Sequence, residues 1–238
     1  MRTAYTVFRN LYNVRKMTMK LVLASGSQRR RELLTMCGYD YEIIVSNADE
    51  TIDENDPESF VRALSFRKAK DVFDRLFAAG RRDFAVIGSD TVVALQKEGE
   101  TKPVIIGKPK DAEDAVRILS MLSGKTHRVF TGVSVIADIP DENAAAQCSI
   151  REKAEIQTEC SITEVTFETL SPDEITDYVN SGDPLDKAGS YGIQGPFGMF
   201  VREIRGNYFT VIGMPIPVLY KMLKKIGILP HGFYERIE

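Results

Sequence analysis

The sequence predicts a mixed α/β fold, with a twisted sheet, flanking helices and two lobes around a central cleft. Short apolar runs alternate with helical patterns in the first half of the chain, and paired strand patterns dominate the second half. The polar residues that suggest chemistry follow or interrupt predicted strands. Because ligands of open α/β sheets bind at strand ends, these residues are expected to meet in the cleft.

Small residues and arginines follow the first predicted strand, Leu21–Ala24. Ser25 and Ser27 flank a glycine, and Arg29 and Arg30 belong to a run of three arginines that precedes a helical pattern. Backbone N–H groups at a helix N-terminus and guanidinium forks both favour phosphate. The Walker loop and the GxGxxG fingerprint are absent. This stretch therefore predicts a phosphate-binding site. The alternative interpretation is an ordinary strand–turn–helix unit whose arginines form a solvated basic face.

Composition restricts the class of protein. With 238 residues, 43% of them hydrophobic and 27% charged, the chain can bury a large core. A net charge of −3 argues against a broad nucleic-acid-binding surface. No apolar run approaches the length of about 20 residues that spans a membrane. The sequence thus predicts a globular protein with no nucleic-acid or membrane partner.

Cysteine and histidine are scarce. Cys37, Cys148 and Cys160 include no CxxC pair, which indicates reduced thiols and a cytoplasmic protein. The sequence has two histidines, His127 and His231, so a multi-histidine zinc site is excluded.

Residues 1–19 form a basic N-terminal extension that is expected to be disordered, and residues 20–238 are expected to form a single domain. The first twenty residues carry five basic and no acidic side chains. This composition also fits a mitochondrial targeting segment, or an upstream start with translation beginning at Met17 or Met19. These alternatives stay open.

An acidic loop, Ser46–Glu50, follows the second predicted strand, Tyr39–Val45. Acidic loops are usually only solvated. At a strand end beside a phosphate site, however, the carboxylates of Asp49 and Glu50 are suited to a divalent cation.

A long helix is predicted over Pro57–Ala79, with Asp56 as its N-cap. Lys68 falls inside the apolar stripe of this helix. A lysine at such a position usually extends its ammonium to the surface, and position alone favours that interpretation. The alternative is a cation directed into the cleft.

Asp90 interrupts the most apolar predicted strand, which covers Phe84–Gly88 and resumes at Val92–Leu95. Burying an aspartate is costly unless it meets a cation, so a functional role is favoured over a local turn. Lys108 precedes a helix capped by Asp111, and it either contacts phosphate or is an ordinary loop lysine.

The remaining predicted elements follow in order. They are strands at Arg128–Ala137 and Ile156–Phe167 around a surface insertion at Asp138–Lys153, a helix starting at the capping box of Ser171, an irregular loop at Asp183–Gly198, a closing hairpin of Phe200–Ile204 and Phe209–Ile212, and a last helix at Pro217–Ile226. Gly132 marks a bulge or a close approach in the first of these strands. Irregular loops on a rigid scaffold often carry function.

Seven sequence blocks resemble, in order, the Maf family of nucleotide pyrophosphatases. They are SGSQRRRELL (25–34), ALSFRKAK (63–70), IGSDTVV (87–93), GKPKDAEDA (107–115), SGKTHRVFTGVSV (123–135), LDKAGSYGIQG (185–195) and the VIGMPI region (211–216). The resemblance covers nearly all of residues 20–228. It implies a Maf/ITPase-like fold, hydrolysis of nucleoside triphosphates to monophosphate and pyrophosphate, a divalent cation (Mg²⁺ or Mn²⁺), and a homodimer.

The resemblance also implies a subgroup. Family members that act on dTTP and UTP carry residues that match Arg29, Thr91 and Gln194 here, and Asp90 matches the family's presumed proton acceptor. Two positions depart from the pattern. Gln28 stands where the family usually has Pro, and Thr210 stands where it usually has Asn, which bears on loop geometry and substrate preference.

These observations combine into one hypothesis for the site. The predicted catalytic residues are Asp90, Lys68 and Lys108, the predicted substrate-binding residues are Ser25, Ser27, Arg29, Arg30, Thr91 and Gln194, and the predicted metal ligands are Asp90 with Asp49 or Glu50. Two alternatives are a pyrophosphatase for a different or modified nucleotide, and a non-catalytic nucleotide-sensing regulator of growth or division.

Overall fold

Seven strands form one mixed sheet in the computed structural model, which describes residues 19–96, 98–139 and 154–231. The strands are β1 (Lys20–Leu23), β2 (Tyr41–Ile43), β3 (Phe84–Leu95), β4 (Val104–Ile106), β5 (Thr126–Ala137), β6 (Glu155–Phe167) and β7 (Val201–Arg205). The helices are α1 (Gln28–Met36), α2 (Pro57–Ala78), α3 (Ala112–Leu122), α4 (Pro172–Asn180), α5 (Tyr208–Ile212) and α6 (Ile216–Lys225). Residues 1–18 and most of the predicted insertion at 138–153 lie outside the described residues.

The strand order in the sheet is β2-β1-β3-β5-β6-β7, with β4 paired to β3. β1 runs parallel to β2 and β3, whereas β3, β4, β5, β6 and β7 pair antiparallel. The early βα units thus supply the parallel part and the later strands supply the antiparallel part, as predicted. Within the described residues, none of the helices combines the length and the apolar character needed to cross a membrane.

The sheet is split along one edge of β3. The other edge of β3 is paired over almost its full length, because β5 pairs with residues 85–94. On the split edge, β1 pairs with residues 84–87 and β4 pairs with residues 93–95. Residues 88–92 therefore face a gap between the end of β1 and the end of β4, and a cleft opens there.

Helix α2 packs against one face of the sheet at two glycines. A Cβ atom at Gly88 would lie 2.1 Å from the carbonyl oxygen of Ser65, and a Cβ atom at Gly132 would lie 2.2 Å from that of Val61. The pairing of β5 continues without a shift through Gly132, so the prediction of a close approach is correct and that of a bulge is not. Helix and sheet backbones meet directly, which fixes the depth of α2.

The opposite face of the sheet carries two apolar clusters, one in each lobe. One cluster joins α1 and α6 to the N-terminal half of β3 and the facing part of β5, including Leu34, Ile87, Val135 and Leu223. The other joins α3 and α4 to the C-terminal half of β3, including Val93, Leu119, Phe167 and Val179. The cleft lies between these two lobes, as the fold-class prediction requires.

The predicted closing hairpin is wrong in its second half. Val201–Arg205 pairs with β6, but Phe209–Ile212 belongs to helix α5. The side chain of Asn207 caps this helix by accepting a hydrogen bond from Phe209 N, and Gly213 ends it in the left-handed conformation. Local capping thus outweighs the strand propensity of the aromatic and β-branched residues.

One predicted boundary moves and another is confirmed. Helix α1 begins at Gln28, so the three arginines lie in its first turn and not ahead of it. Strand β5 ends at Ala137 as predicted, and the following residue, Asp138, is buried and donates its N–H to the carbonyl of Phe84.

Candidate active site

A cavity of about 540 Å³ occupies the split between β1 and β4. Every predicted site residue except Asp49 lies on its wall, although these residues come from six separate segments of the chain. They are Ser25, Ser27, Arg29, Arg30, Glu50, Lys68, Asp90, Thr91, Lys108 and Gln194. Asp49 is placed differently, because its carboxylate accepts a hydrogen bond from Thr51 N in the exposed loop.

Lys68 points into the cleft. Its Nζ lies 2.7 Å from Oδ1 of Asp90 and 2.9 Å from Oε1 of Glu50. The side chains of Lys68 and Asp90 are each only 12% exposed, whereas that of Glu50 is 65% exposed. The expectation that Lys68 extends to the surface is therefore wrong, and the alternative of a cation in the cleft holds because the glycine contacts bring α2 close to β3.

Glu50 and Asp90 are the residues that could hold a metal ion. Both carboxylates reach one cation, the ammonium of Lys68, so their oxygen atoms converge on a common region. Within the described residues, no group of three or more acidic, histidine or cysteine side chains is placed to hold an ion. Mg²⁺ is commonly bound through one or two carboxylates with substrate phosphates and waters, and this pair fits that mode.

The loop between β1 and α1 presents N–H groups and arginines to the cavity. Ser27 is the N-cap of α1 but makes no side-chain capping bond, and its own N–H donates to Ser25 Oγ at 3.2 Å. The N-terminal amides of α1 are thus not covered by the Ser27 side chain. Together with the helix dipole they can bind an anion.

Arg30 is held by the protein through three nitrogen atoms. It donates to the carbonyl of Gly213 at 2.9 Å, to Ser25 Oγ at 3.1 Å and to Thr91 Oγ1 at 3.4 Å. Burial lowers the pKa of this guanidinium from its usual value, and the charge of Asp90 opposes that shift. Arg30 lines the cavity, yet its contacts show that it also connects α1, β3 and the end of α5.

Successive residues of β3 place different chemistry on the two sides of the cavity. Side chains alternate along a strand, so Asp90 and Thr91 point to opposite faces of the sheet. Asp90 faces α2 and meets Lys68, whereas Thr91 faces its cross-strand partner Thr131. On the Thr91 side the lining is largely apolar, with Val93, Val129, Tyr191, Ile193, Val211 and Ile212. The Asp90 side thus holds an ion pair, and the Thr91 side, called the apolar side below, also receives Arg30 and the start of α1.

The loop that carries Gln194 is fixed by a network that includes Asp183. Nζ of Lys187 lies 2.9 Å from Oδ1 of Asp183, and Tyr178 OH donates to the other oxygen of that carboxylate at 2.5 Å. Tyr178 OH also accepts from Gly192 N at 3.1 Å, two residues before Gln194. Hydrogen bonds to Tyr178 and Lys187 lower the pKa of Asp183 despite its partial burial.

Sequence reasoning missed two charged residues on the cavity wall, Asp186 and Lys187. Asp186 lies 3.4 Å from Arg29 and 2.8 Å from Lys187, and these cations lower the pKa of its carboxyl. The sequence signal that could have identified them is an acidic residue next to a basic one inside a glycine-rich loop, but solvated loops show the same pattern.

A buried aromatic cluster supports the apolar side. His127 Nε2 is 3.0 Å from Tyr191 OH, and the His127 ring packs edge-on against Phe167 at 4.6 Å. Burial lowers the pKa of His127 to about 3, so the ring is neutral at physiological pH. Phe197 packs on Tyr191 and Phe167, which anchors the loop around Gln194 to the core.

Comparison with known proteins places this site in a family. The family model described as "Maf-like protein" matches residues 20–226. This chain belongs to the Maf-like protein family. That span includes every residue of the site and both lobes of the sheet.

Curated relatives of this Maf-like protein align over nearly their whole length. A protein of Agathobacter rectalis named dTTP/UTP pyrophosphatase is 40% identical over 217 residues, covering 88% of this chain and 98% of the relative. Proteins of the same name from Bacillus thuringiensis subsp. konkukian and Clostridium beijerinckii are each 42% identical over 210 residues. The alignment with the Bacillus protein covers 88% of this chain and 96% of the relative, and that with the Clostridium protein covers 87% of this chain and 100% of the relative. A solved structure, the Ham1 protein of Staphylococcus aureus, aligns over 87% of this chain and 98% of its own with 14% identity and a TM-score of 0.42.

Proposed function

We propose that this Maf-like protein hydrolyses dTTP and UTP to the nucleoside monophosphate and pyrophosphate, an activity that removes nucleotides from the cellular pool. Relatives that carry the name dTTP/UTP pyrophosphatase at about 40% identity support the proposal. The observation that carries it is a cavity that combines fixed charges with an apolar patch, because a nucleoside triphosphate also has a charged end and a flat, largely apolar end.

The charged and N–H groups of the cavity wall suit the triphosphate. The amides of α1 and the side chains of Ser25, Ser27 and Arg29 are assigned to phosphate oxygens, and Lys108, which also lines the cavity, offers a further cation. Phosphoryl transfer needs positioning and charge neutralisation more than covalent chemistry, so a site rich in fixed cations is well matched to it.

Asp90 is assigned as the group that accepts a proton from the attacking water. In the proposed step, water oxygen bonds to the α-phosphorus, the bond from that phosphorus to the bridging oxygen breaks, and pyrophosphate leaves. Lys68, 2.7 Å from Asp90, neutralises negative charge beside the reacting phosphate. Asp90 is held by the contact of α2 with β3, so its position does not depend on a mobile loop.

A divalent cation is part of the proposal. Glu50 and Asp90 would hold Mg²⁺ or Mn²⁺ together with substrate phosphate oxygens, as their convergence on one cation suggests. When bound, such an ion polarises the phosphate and lowers the pKa of a coordinated water. Asp49, which bonds Thr51 in the loop, is a weaker candidate than Glu50.

The apolar side suits the base. Gln194 lies on the cavity wall, and a side-chain amide can pair with both a carbonyl and an N–H of uracil or thymine. Thr91, on the sheet, faces the same space. These two residues are assigned to base recognition.

The test is hydrolysis in water labelled with ¹⁸O. Purified protein is incubated with Mg²⁺ or Mn²⁺ and, separately, dTTP, UTP, CTP, ATP and GTP, and pyrophosphate and monophosphate are each quantified by mass spectrometry. The proposal predicts turnover of dTTP and UTP with the label in the monophosphate. An Asp90→Asn preparation, purified in the same way, controls for contaminating phosphatases.

Other outcomes favour other functions. Label in pyrophosphate would mean attack on the β-phosphorus and would overturn the placement of the water. Turnover of a different nucleotide alone would support a pyrophosphatase with another substrate. Nucleotide binding with no release of pyrophosphate would support a regulator that senses nucleotides.

A further inference from the structure

A chain of hydroxyl groups lies behind Thr91 on the apolar side of the cavity. Thr91 Oγ1 is 3.0 Å from Thr131 Oγ1, and Thr131 Oγ1 donates to the carbonyl of Thr210 at 2.7 Å. The side chain of Thr210 is in turn 2.7 Å from Ser161 Oγ. Thr131 and Thr210 are fully buried. This series of hydrogen-bonded hydroxyl groups connects β3, β5, β6 and α5 beneath the cavity wall.

The hydrogen bonds among these linked hydroxyl groups determine where the hydroxyl proton of Thr91 points. A carbonyl can only accept, and a hydroxyl has a single proton. Because Thr131 gives its proton to the Thr210 carbonyl, the bond between Thr131 and Thr91 must use the proton of Thr91. Arg30 donates to the Thr91 oxygen at 3.4 Å. What Thr91 can still offer to a ligand is one lone pair.

An acceptor at this position distinguishes the parts of a nucleotide. Phosphate oxygens at neutral pH are themselves acceptors, so Thr91 cannot bond to them. Uracil and thymine carry an N–H at ring position 3, whereas cytosine carries an unprotonated nitrogen there. Val93 and Val129 share the face of Thr91 and would pack against a flat ring.

We propose that Thr131 is a positioning residue for base selection, which presents Thr91 as a hydrogen-bond acceptor for the imide N–H of uracil and thymine. The proposal rests on the proposed function, since it assumes a nucleotide with its base on the apolar side. Thr131 contacts the base only through Thr91. It acts by removing the proton with which Thr91 could otherwise bond to cytosine.

The test compares the binding of UMP and CMP by calorimetry. Monophosphates cannot release pyrophosphate, so the assay reports base preference independently of turnover. In Thr131→Val the Thr91 proton is free to turn toward the cavity. We expect the preference for UMP over CMP to fall about tenfold, the typical effect of losing one matched polar contact. With UTP as substrate, KM should change more than kcat.

Two variants separate this role from a structural one. Thr131→Ser keeps the hydroxyl and should keep the wild-type preference. Thr163→Val removes another buried hydroxyl, one that donates to the carbonyl of Asn207 at 3.0 Å, and should leave the preference unchanged. Equal weakening of UMP and CMP by Thr131→Val, or an equal change of preference in Thr163→Val, would overturn the proposal. A wild-type protein without turnover would instead overturn the proposed reaction and leave this comparison intact.

Discussion

The ammonium of Lys68 lies 2.7 Å from Asp90 Oδ1. This ion pair joins the middle of α2 to residues 88–92 of β3, the segment that lacks a strand partner on one edge. Both side chains are 12% exposed, so water screens the pair only weakly. The pair places a carboxylate and a fixed positive charge side by side at the point where the sheet splits. Any chemistry at the gap must therefore use or rearrange this pair.

The first prediction concerns Asp90→Asn. The amide keeps the shape of the side chain but cannot accept a proton, and loss of a general base typically costs about 10²–10⁴-fold in kcat. Release of pyrophosphate from dTTP measures the loss, and thermal unfolding should show a folded protein. The matched control is Asp74→Asn, which breaks an exposed ion pair with Lys70 at 2.5 Å and should leave kcat unchanged. An Asp90→Asn enzyme with near wild-type kcat would remove Asp90 from the reaction.

The second prediction compares two neighbouring acids, Glu50 and Asp49. Glu50→Gln should raise the Mg²⁺ or Mn²⁺ concentration needed for half-maximal activity, because Glu50 shares the cavity with Asp90. Asp49→Asn should not, because Asp49 bonds Thr51 outside the cavity lining. Titration of activity with each metal after treatment with EDTA measures both. The reverse ranking of the two variants would place the metal on Asp49.

Local signals in the sequence predicted much of the fold. Asp56 accepts from Ser59 N at the start of α2, and Ser171 forms the predicted capping box of α4 with Glu174. These features depend on residues within four positions of each other, so a local sequence pattern is enough to predict them. The same holds for the strand, loop and helix around Ser25.

Long-range packing explains what the sequence did not reveal. The direction of Lys68 depends on how deeply α2 packs on β3, which two glycines on different strands decide. Phe209–Ile212 has the composition of a strand but forms a helix, because Asn207 and Gly213 cap it. Lys187 takes part in the site through Asp183 and Tyr178, contacts that only the folded loop creates.

The third prediction concerns Gly132→Ala. The added Cβ would lie 2.2 Å from the carbonyl oxygen of Val61, so α2 must move away from the sheet. We expect a loss of about 1–3 kcal/mol in the free energy of unfolding, as overpacking usually causes. Activity should also fall because Lys68 moves with α2. Urea denaturation and pyrophosphate release measure the two effects.

Gly107→Ala is the control for this experiment. No heavy atom lies within 4 Å of a Cβ at Gly107, and its φ is not in the left-handed region. The free energy of unfolding should change by no more than about 0.5 kcal/mol. If Gly132→Ala behaved in the same way, the close approach of α2 would not constrain the fold.

The fourth prediction concerns Gln194→Ala. Loss of the amide leaves the polar edge of the base without a partner, which should cost about 1–3 kcal/mol in the preference for dTTP and UTP over purine nucleotides. Values of kcat/KM for each nucleotide measure the preference. Gln157→Ala, which removes an amide on β6 that bonds the carbonyl of Met222, should leave it unchanged. An equal loss across all bases would remove Gln194 from base recognition.

The last prediction concerns pH and His127. Its folded-state pKa of about 3 is far below the usual value of 6.5 because the ring is buried against Phe167 and Tyr191. Between these two values the unfolded chain binds a proton that the folded chain does not, so stability falls as the pH is lowered. The contribution is fully present above pH 6.5 and is lost progressively toward pH 3. Integrated from pH 7 to pH 5, the loss should reach about 2 kcal/mol, and its slope approaches about 1.36 kcal/mol per pH unit once the unfolded imidazole is fully protonated.

His127→Gln isolates this effect, because glutamine can still bond Tyr191 OH but does not titrate. The carboxyl groups with lowered pKa values, such as Asp183 and Asp186, titrate below this window and are common to both proteins. Urea denaturation at pH 7 and pH 5 should show the extra loss in the wild type and not in the variant. Parallel losses in both would mean that His127 gains its proton without cost, and therefore that the aromatic cluster opens readily to water.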